Sequence, residues 1–282
     1  MESSAGADPE PGALDLPLDA HLHTDLSHDA DVPIDVYAAE ARRRGVREIA
    51  ITDHLDFDPR DPNHALGDHR NRERIVREAA ARWDGSPEIR FGVEITYERR
   101  LEGQIRDYLG THAYDYVIGS VHLSDRQPLG RPGADTWARA EGFRGASAWY
   151  WEEVEGLVRS GLFHTLGHLD VIRRWLHPIL GAMDPAEHAD LYERVLRSLV
   201  DTGVALEINS SGLRHAHGEM YPPPGVVRRF SELGGERIVA GSDAHRAHHF
   251  AFGLPQAYAA IEAVRITRLT FGDSERPTAV LA

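Results

Sequence analysis

The sequence predicts an α/β fold in which seven strand–helix units close into a barrel. Three observations carry that reading. Short apolar runs alternate with helical stretches along most of the chain, an order that implies parallel strand pairing. Seven such runs occur, each followed by a helix. Histidine or carboxylate residues recur at the ends of these runs, where barrels of this type collect their reactive groups. A length of 282 residues suits one such barrel, and it also suits two small domains.

Residues 1–16 are small, acidic and proline-rich and are expected to form a disordered tail, leaving residues 17–282 as the folded domain. The first strand is expected over 16–23. A helix over 34–44 follows, started by Pro33 and ended by Gly45. The second strand, 48–52, runs into Asp53 and His54. A long loop over 56–71 leads to a charged helix over 72–83. The third strand, 89–95, carries Glu94 and is followed by a helix over 98–109. The fourth, 116–121, ends at His122. Residues 124–142 are polar and rich in Pro and Gly and read as a loop, long enough to suggest a functional one. A helix over 146–160 precedes the fifth strand, 163–167, which runs into His168-Leu169-Asp170. A helix over 185–202 precedes the sixth strand, 205–210. A helix over 225–233 precedes the seventh, 237–240, which runs into Gly241-Ser242-Asp243-Ala244-His245. A helix over 255–263 and a short strand over 266–271 complete the chain.

Composition narrows the function classes. Hydrophobic residues at 41% and charged residues at 27% indicate a folded, soluble core. A net charge of -14 argues against nucleic acid or an acidic membrane as partner. Cysteine is absent, which excludes disulfides and thiolate chemistry and leaves histidine and carboxylates as the strong metal ligands among 17 His. There is no 18-residue apolar run, and residues 1–16 lack the basic-then-apolar order of a signal peptide, so a cytoplasmic location is expected.

His21 and His23 lie two apart on an extended segment and point to the same side. His54, Glu94, His122, His168, Asp243 and His245 occupy similar positions on later strands. A surface-loop histidine explains any one of them, but not their recurrence strand after strand. The pattern points to a polynuclear metal site.

The motifs His21-x-His23, Thr52-Asp53-His54, Gly92-Val93-Glu94, Gly119-Ser120-Val121-His122, Gly167-His168-x-Asp170 and Gly241-Ser242-Asp243-Ala244-His245 resemble those of the PHP (polymerase and histidinol phosphatase) superfamily, in the same order over about residues 17–250. Asp19 before the first motif, Arg173-Arg174 and the segment Glu207–Arg214 look most like the histidinol-phosphate phosphatases of that superfamily. The resemblance implies a distorted (β/α)7 barrel and a phosphomonoesterase holding two or three divalent metals. It places His21, His23, Glu94 and Asp243 at a first metal, Glu94, His122 and His168 at a second, with Glu94 bridging, and Asp29, His54 and His245 at a third. Relatives differ between His and Asp at the position of Asp29; Asp29 holds the matching spacing and is the first choice, with His28 beside it as the substitute.

Imidazole and carboxylate suit Zn²⁺, Mn²⁺ or Fe²⁺ alike. Two cations bridged by a carboxylate lower the pKa of a shared water and supply hydroxide in line with phosphorus. Asp53 and Asp170 either orient the neighbouring imidazoles or make ordinary loop hydrogen bonds. Guanidinium forks fit phosphate, with Arg214 the first choice and Arg173 the second, while Arg174 and Arg246 read as solvated. The general acid is a metal-bound water or His245. His64, His69, His215, His217, His248 and His249 read as exposed loop residues near the mouth, and Trp137 as a packing or pocket-lining residue of the 124–142 loop. The expected substrate is a small phosphate ester, histidinol phosphate first, with a nucleotide or another small ester as the alternative. A non-catalytic metal-binding barrel is the third reading.

Overall fold

A computed structural model describes Leu14, residues 16–59, 68–122, Leu129 and residues 131–266, with the backbone of residues 268–269 and 279–280. Of the expected tail, residues 1–13 and 15 lie outside the described residues, and Leu16 already opens the first strand. His64 and residues 123–128 of the expected long loop also lie outside them.

The strands are β1 (Leu16–Leu22), β2 (Val46–Ile51), β3 (His54–Leu55), β4 (Glu88–Thr96), β5 (Tyr116–Ser120), β6 (Thr165–Leu166), β7 (Ala205–Asn209), β8 (Ile238–Gly241), β9 (Arg268–Leu269) and β10 (Ala279–Val280). They pair in the order β1-β2-β4-β5-β6-β7-β8-β9-β10, with β3 attached to β4. All of these pairs are parallel except β9 with β10. Every residue of β5, β7 and β8 is buried, as a parallel sheet covered on both faces requires.

The seven long-range parallel partners β1, β2 and β4–β8 curl round until the chain leaving β8 meets β1. His23 N–H donates to the Ala244 carbonyl at 2.9 Å, and Leu22 and Ala244 form a parallel bridge. At the opposite end β8 pairs instead with β9, through Ile238 and Leu269. The barrel is therefore closed at its C-terminal mouth and distorted at its base. The closure is reinforced by Asp19. Its carboxylate is buried and accepts from Ser242 N at 2.8 Å, Ser242 Oγ at 2.6 Å and Ala251 N at 3.3 Å.

The helices are α1 (Ile34–Arg44), α2 (His69–Trp83), α3 (Glu102–Leu109), α4 (Ala134–Arg159), α5 (Arg173–Leu180), α6 (Ala189–Thr202), α7 (Pro224–Glu232) and α8 (Leu254–Ala263). Gly45 takes the left-handed conformation that ends α1, as its position predicts. Tyr37 of α1 aims its hydroxyl between the carbonyls of His23 and Ala244, at 3.0 and 2.9 Å, tying the helix layer to the closure.

Three expectations need correction. The segment 124–142 is not a loop throughout, because α4 begins at Ala134 and continues through a kink at Gly142, the one residue inside it with non-helical dihedrals. The glycines at 133 and 142 suggest a loop, but the eight residues between them contain no helix breaker. Trp137 thus sits on a helix, partly buried against the core. Helix α5 has no counterpart in the sequence reading, since Pro178 breaks the helical pattern. In the fold Pro178 stands two residues from the helix end, where little of the ladder is lost. The helices expected over 98–109 and 185–202 each open with a 3-10 turn, Arg99–Leu101 and Pro185–His188.

Asp19→Ala leaves three buried donors at the β1–β8 seam without an acceptor. Its unfolding free energy in urea is expected to fall by at least about 2 kcal/mol; an unchanged midpoint would show that the seam does not depend on this carboxylate.

Candidate metal centre

Six of the strands, β1, β3, β4, β5, β6 and β8, deliver one or two donors each. His21 lies on β1, with His23 just beyond it. His54 opens β3, Glu94 lies near the end of β4, His122 follows β5, His168 follows β6, and Asp243 and His245 follow β8. The backbone is bent to deliver them: His168, Asp170 and Asp243 have φ of 22°, 72° and 53°, left-handed values that non-glycine residues avoid. Each such residue costs on the order of 1–3 kcal/mol and persists where the surroundings dictate it.

The donors form three groups. His21 Nε2 and His23 Nε2 stand 3.0 Å apart. Each is 3.4 Å from Glu94 Oε2, and they are 3.8 and 3.5 Å from Asp243 Oδ1. At a metal–nitrogen bond of 2.0–2.1 Å a tetrahedral shell has ligand–ligand edges of about 3.3 Å, close to these five spacings, and His21, His23 and Asp243 form one candidate metal group. The second group is built on the other oxygen of the same carboxylate. Glu94 Oε1 lies 2.8 Å from His168 Nε2 and 3.5 Å from His122 Nε2, and the two nitrogens are 3.2 Å apart. In the third, Asp29 Oδ2 lies 3.1 Å from His245 Nε2 and 3.5 Å from His54 Nε2, with His23 close by. Asp29, not His28, holds this place: His28 is exposed, with its ring centre 5.5 Å from that of His54.

The donors fit divalent cations. Asp29 Oδ1 and the Nδ1 atoms of His23 and His168 are buried without a hydrogen-bond partner among the described residues, and His54 Nδ1 faces Glu94 Oε2 at 3.0 Å. Burial alone would push the Glu94 carboxyl up, but the imidazoles of His21, His54 and His122 overcome it and hold Glu94 well below the usual carboxylate range. Asp243 is held low in the same way, by His21 and His23, and Asp29 by His245 and His54. In return, and against the effect of burial, Glu207, Glu94 and Asp243 raise His21, and Glu94 and Asp29 raise His54 to about 9. His23 goes the other way, lowered by burial and by the charges of His245 and His54. A cation that binds here would take ionised carboxylates as ligands and displace the protons carried by the imidazoles.

The residues that hold these donors are largely absent from the sequence reading. Glu207 Oε1 accepts from His21 Nδ1 at 2.7 Å, and its Oε2 accepts from the His168 N–H at 2.6 Å. One carboxylate on β7 therefore orients a ligand of the first group and a ligand of the second. Its signal in the sequence was an acid inside the otherwise apolar run Ala-Leu-Glu-Ile. Ser120 Oγ donates to Glu94 Oε1 at 2.5 Å, and Thr96 Oγ1 meets His122 Nδ1 at 2.9 Å. Glycine makes room for this crowding: a Cβ on Gly241 would come within 2.5 Å of Glu207 Oε1 and 2.6 Å of His21 Cβ.

Asp53 and Asp170 do not orient the neighbouring imidazoles. Asp53 accepts from Thr24 N at 2.6 Å and Thr24 Oγ1 at 2.8 Å. Asp170 accepts from Tyr192 Oη at 2.5 Å and pairs with Arg173 Nε at 3.0 Å. Arg173, expected to bind substrate, is buried at 3% exposure and fully engaged. It pairs with Asp170 and with Glu219 at 2.7 Å, and donates to the Met220 carbonyl at 2.7 Å. Arg214 is half-buried and donates to the Ser242 and Asp243 carbonyls, each at 2.8 Å, so it braces the loop that carries Asp243. Arg174 is exposed beside Arg214 and His215; with burial, the two guanidinium groups depress His215 to about 4. His217 is bonded to Tyr221 Oη at 2.6 Å, and His69 starts α2.

A PHP domain model matches residues 19–211. The chain is 32% identical over 257 residues to a probable histidinol-phosphatase of Deinococcus radiodurans, covering 90% of this chain and 95% of that protein. It is 28% identical over 239 residues to a probable histidinol-phosphatase of Thermotoga maritima, covering 85% and 88%. The fold matches that of the histidinol phosphate phosphatase of Lactococcus lactis, crystallised with zinc, L-histidinol and phosphate, with a TM-score of 0.80 at 22% identity, over 94% of this chain and 99% of that one. The chain belongs to the PHP domain family. Within it, the chain is a hydrolase of the phosphoric monoester class, with histidinol-phosphatases among its relatives.

Glu207→Gln is expected to weaken zinc uptake by about 10–100-fold, the usual cost of losing a group that orients a ligand. A competitive chelator titration measures it, and unchanged affinity would show that His21 and His168 keep their places unaided. Arg173→Ala strands the buried Asp170 carboxylate and is expected to cost about 3–5 kcal/mol in denaturant unfolding.

Proposed function

We propose that residues 17–282 act as one catalytic domain that hydrolyses histidinol phosphate to histidinol and phosphate with the help of two or three divalent ions, zinc, manganese or iron. The observation that carries the proposal is the division of the Glu94 carboxylate, one oxygen in each of two donor groups. The histidinol-phosphatases among the relatives supply the substrate.

Bound divalent ions supply Lewis acidity toward phosphoryl oxygens and lower the pKa of a water between them. The chain supplies the geometry. Glu94 would offer one oxygen to each of two ions. His21 and His168, both held by Glu207, fix the far side of each group. Asp29, His54 and His245 stand at the open edge, where the side chains of Asp29 and His245 remain partly exposed, and a phosphoryl group can reach them. His245 there would ligate a third ion when one is bound, and with two ions bound it is the candidate proton donor to the leaving alkoxide. Burial would lower it, but Asp29 and Asp243 keep its pKa raised. Arg214 contributes by bracing Asp243, and its remaining N–H groups together with Arg174 form the cationic rim that receives the dianion. Arg174 thus takes the place first given to Arg173.

Phosphate release from histidinol phosphate is expected to exceed release from AMP or a short oligonucleotide at matched concentration and to stop on metal removal. Arg174→Ala is expected to raise KM by roughly 10–100-fold, the worth of a charge-assisted hydrogen bond, with a smaller effect on kcat. Equal turnover of all three substrates would remove the substrate assignment, and full turnover by metal-free protein would remove the mechanism.

A further inference from the structure

Asp56 belongs to none of the three donor groups. It follows β3, is 4% exposed, and its Oδ1 is buried without a hydrogen-bond partner among the described residues. A buried carboxylate oxygen left in that state is costly unless a cation completes it. Its neighbour Asp58 is paired with Arg100, which also binds Glu98, so that guanidinium is already engaged. The groups that do face Asp56 are imidazoles: donor atoms of His54, Asp56 and His122 all lie within 4.8 Å of one another. His54 turns its Nδ1 toward Glu94 Oε2, at 3.0 Å.

We infer that His54, Asp56 and His122 form an additional seat for a divalent transition-metal ion at the mouth of the barrel, between the second and third groups. Two imidazoles and one carboxylate are a competent donor set for such an ion. Its three donor atoms lie within the same 4.8 Å of one another as those of the other groups. The seat also borrows a histidine from each neighbouring group. The ion in it is therefore the ion of the third group in a second position, and Asp56 and Asp29 are alternative carboxylates for that one ion. Such a pair of positions gives the outermost ion a route in and out that does not disturb His21, His23 or Asp243.

The inference rests on the metal reading above, and metal content separates the two. Stripped protein is loaded with Zn²⁺, passed through a desalting column and its zinc counted by mass spectrometry, for the wild type, Asp29→Ala, Asp56→Asn and the double variant, each checked for fold by circular dichroism. Both single variants are expected to hold as many equivalents as the wild type, and the double variant one fewer. If Asp29→Ala alone loses an equivalent, or if the double variant holds as many as the wild type, the Asp56 seat is overturned. A wild type that takes up no zinc overturns the metal reading itself. Asp56→Asn keeps the size of the side chain while removing its charge, so a loss there does not arise from a collapsed loop.

Discussion

The structure depends on a balance of charge among side chains packed at the barrel mouth. Glu94 is 1% exposed, ionised and surrounded by imidazoles. A carboxylate buried alone would take up a proton, and imidazoles buried alone would lose theirs. Brought together they stabilise each other's charged forms. The two oxygens of one side chain face two different sets of nitrogens, so one carboxylate links two of the donor groups.

The barrel is the means of building that socket. Parallel strands bring every C-terminal end to one mouth, so residues more than two hundred positions apart, such as His21 and Asp243, come within 3.8 Å. Donors packed this closely leave no room for ordinary side chains, hence Gly241 against His21 and Glu207. The strained φ values at His168 and Asp243 come from the same demand. The stability that these features cost is offset by the seam at Asp19, the Tyr37 hydroxyl and the buried Arg173–Asp170 pair.

The fold was legible because each strand announces itself locally, as a short apolar run followed by a polar residue. The donors were legible for the same reason, since each stands at the end of such a run. What escaped reading depends on what faces what across the barrel. Glu207 looks like an odd acid in a strand until His21 and the His168 amide are seen against it. Arg173 and Arg174 are indistinguishable in sequence, yet one is buried against Asp170 and Glu219 while the other reaches solvent. Asp170 stands beside a ligand histidine and turns away from it toward Tyr192. Helix α5 was hidden by Pro178 and half of the expected 124–142 loop by its glycines, because a breaker near a helix end or at a kink reads the same as a breaker in a loop.

The central claim is that Glu94 joins two ions, and X-ray absorption at the zinc edge of the loaded protein tests it most directly. The account predicts a shell of nitrogen and oxygen only, at about 2.0–2.2 Å, with a second metal scatterer at about 3.5–4 Å, the latter lost in Glu94→Gln. A zinc shell with no metal neighbour in the wild type, or a metal neighbour that survives removal of the Glu94 charge, would contradict it.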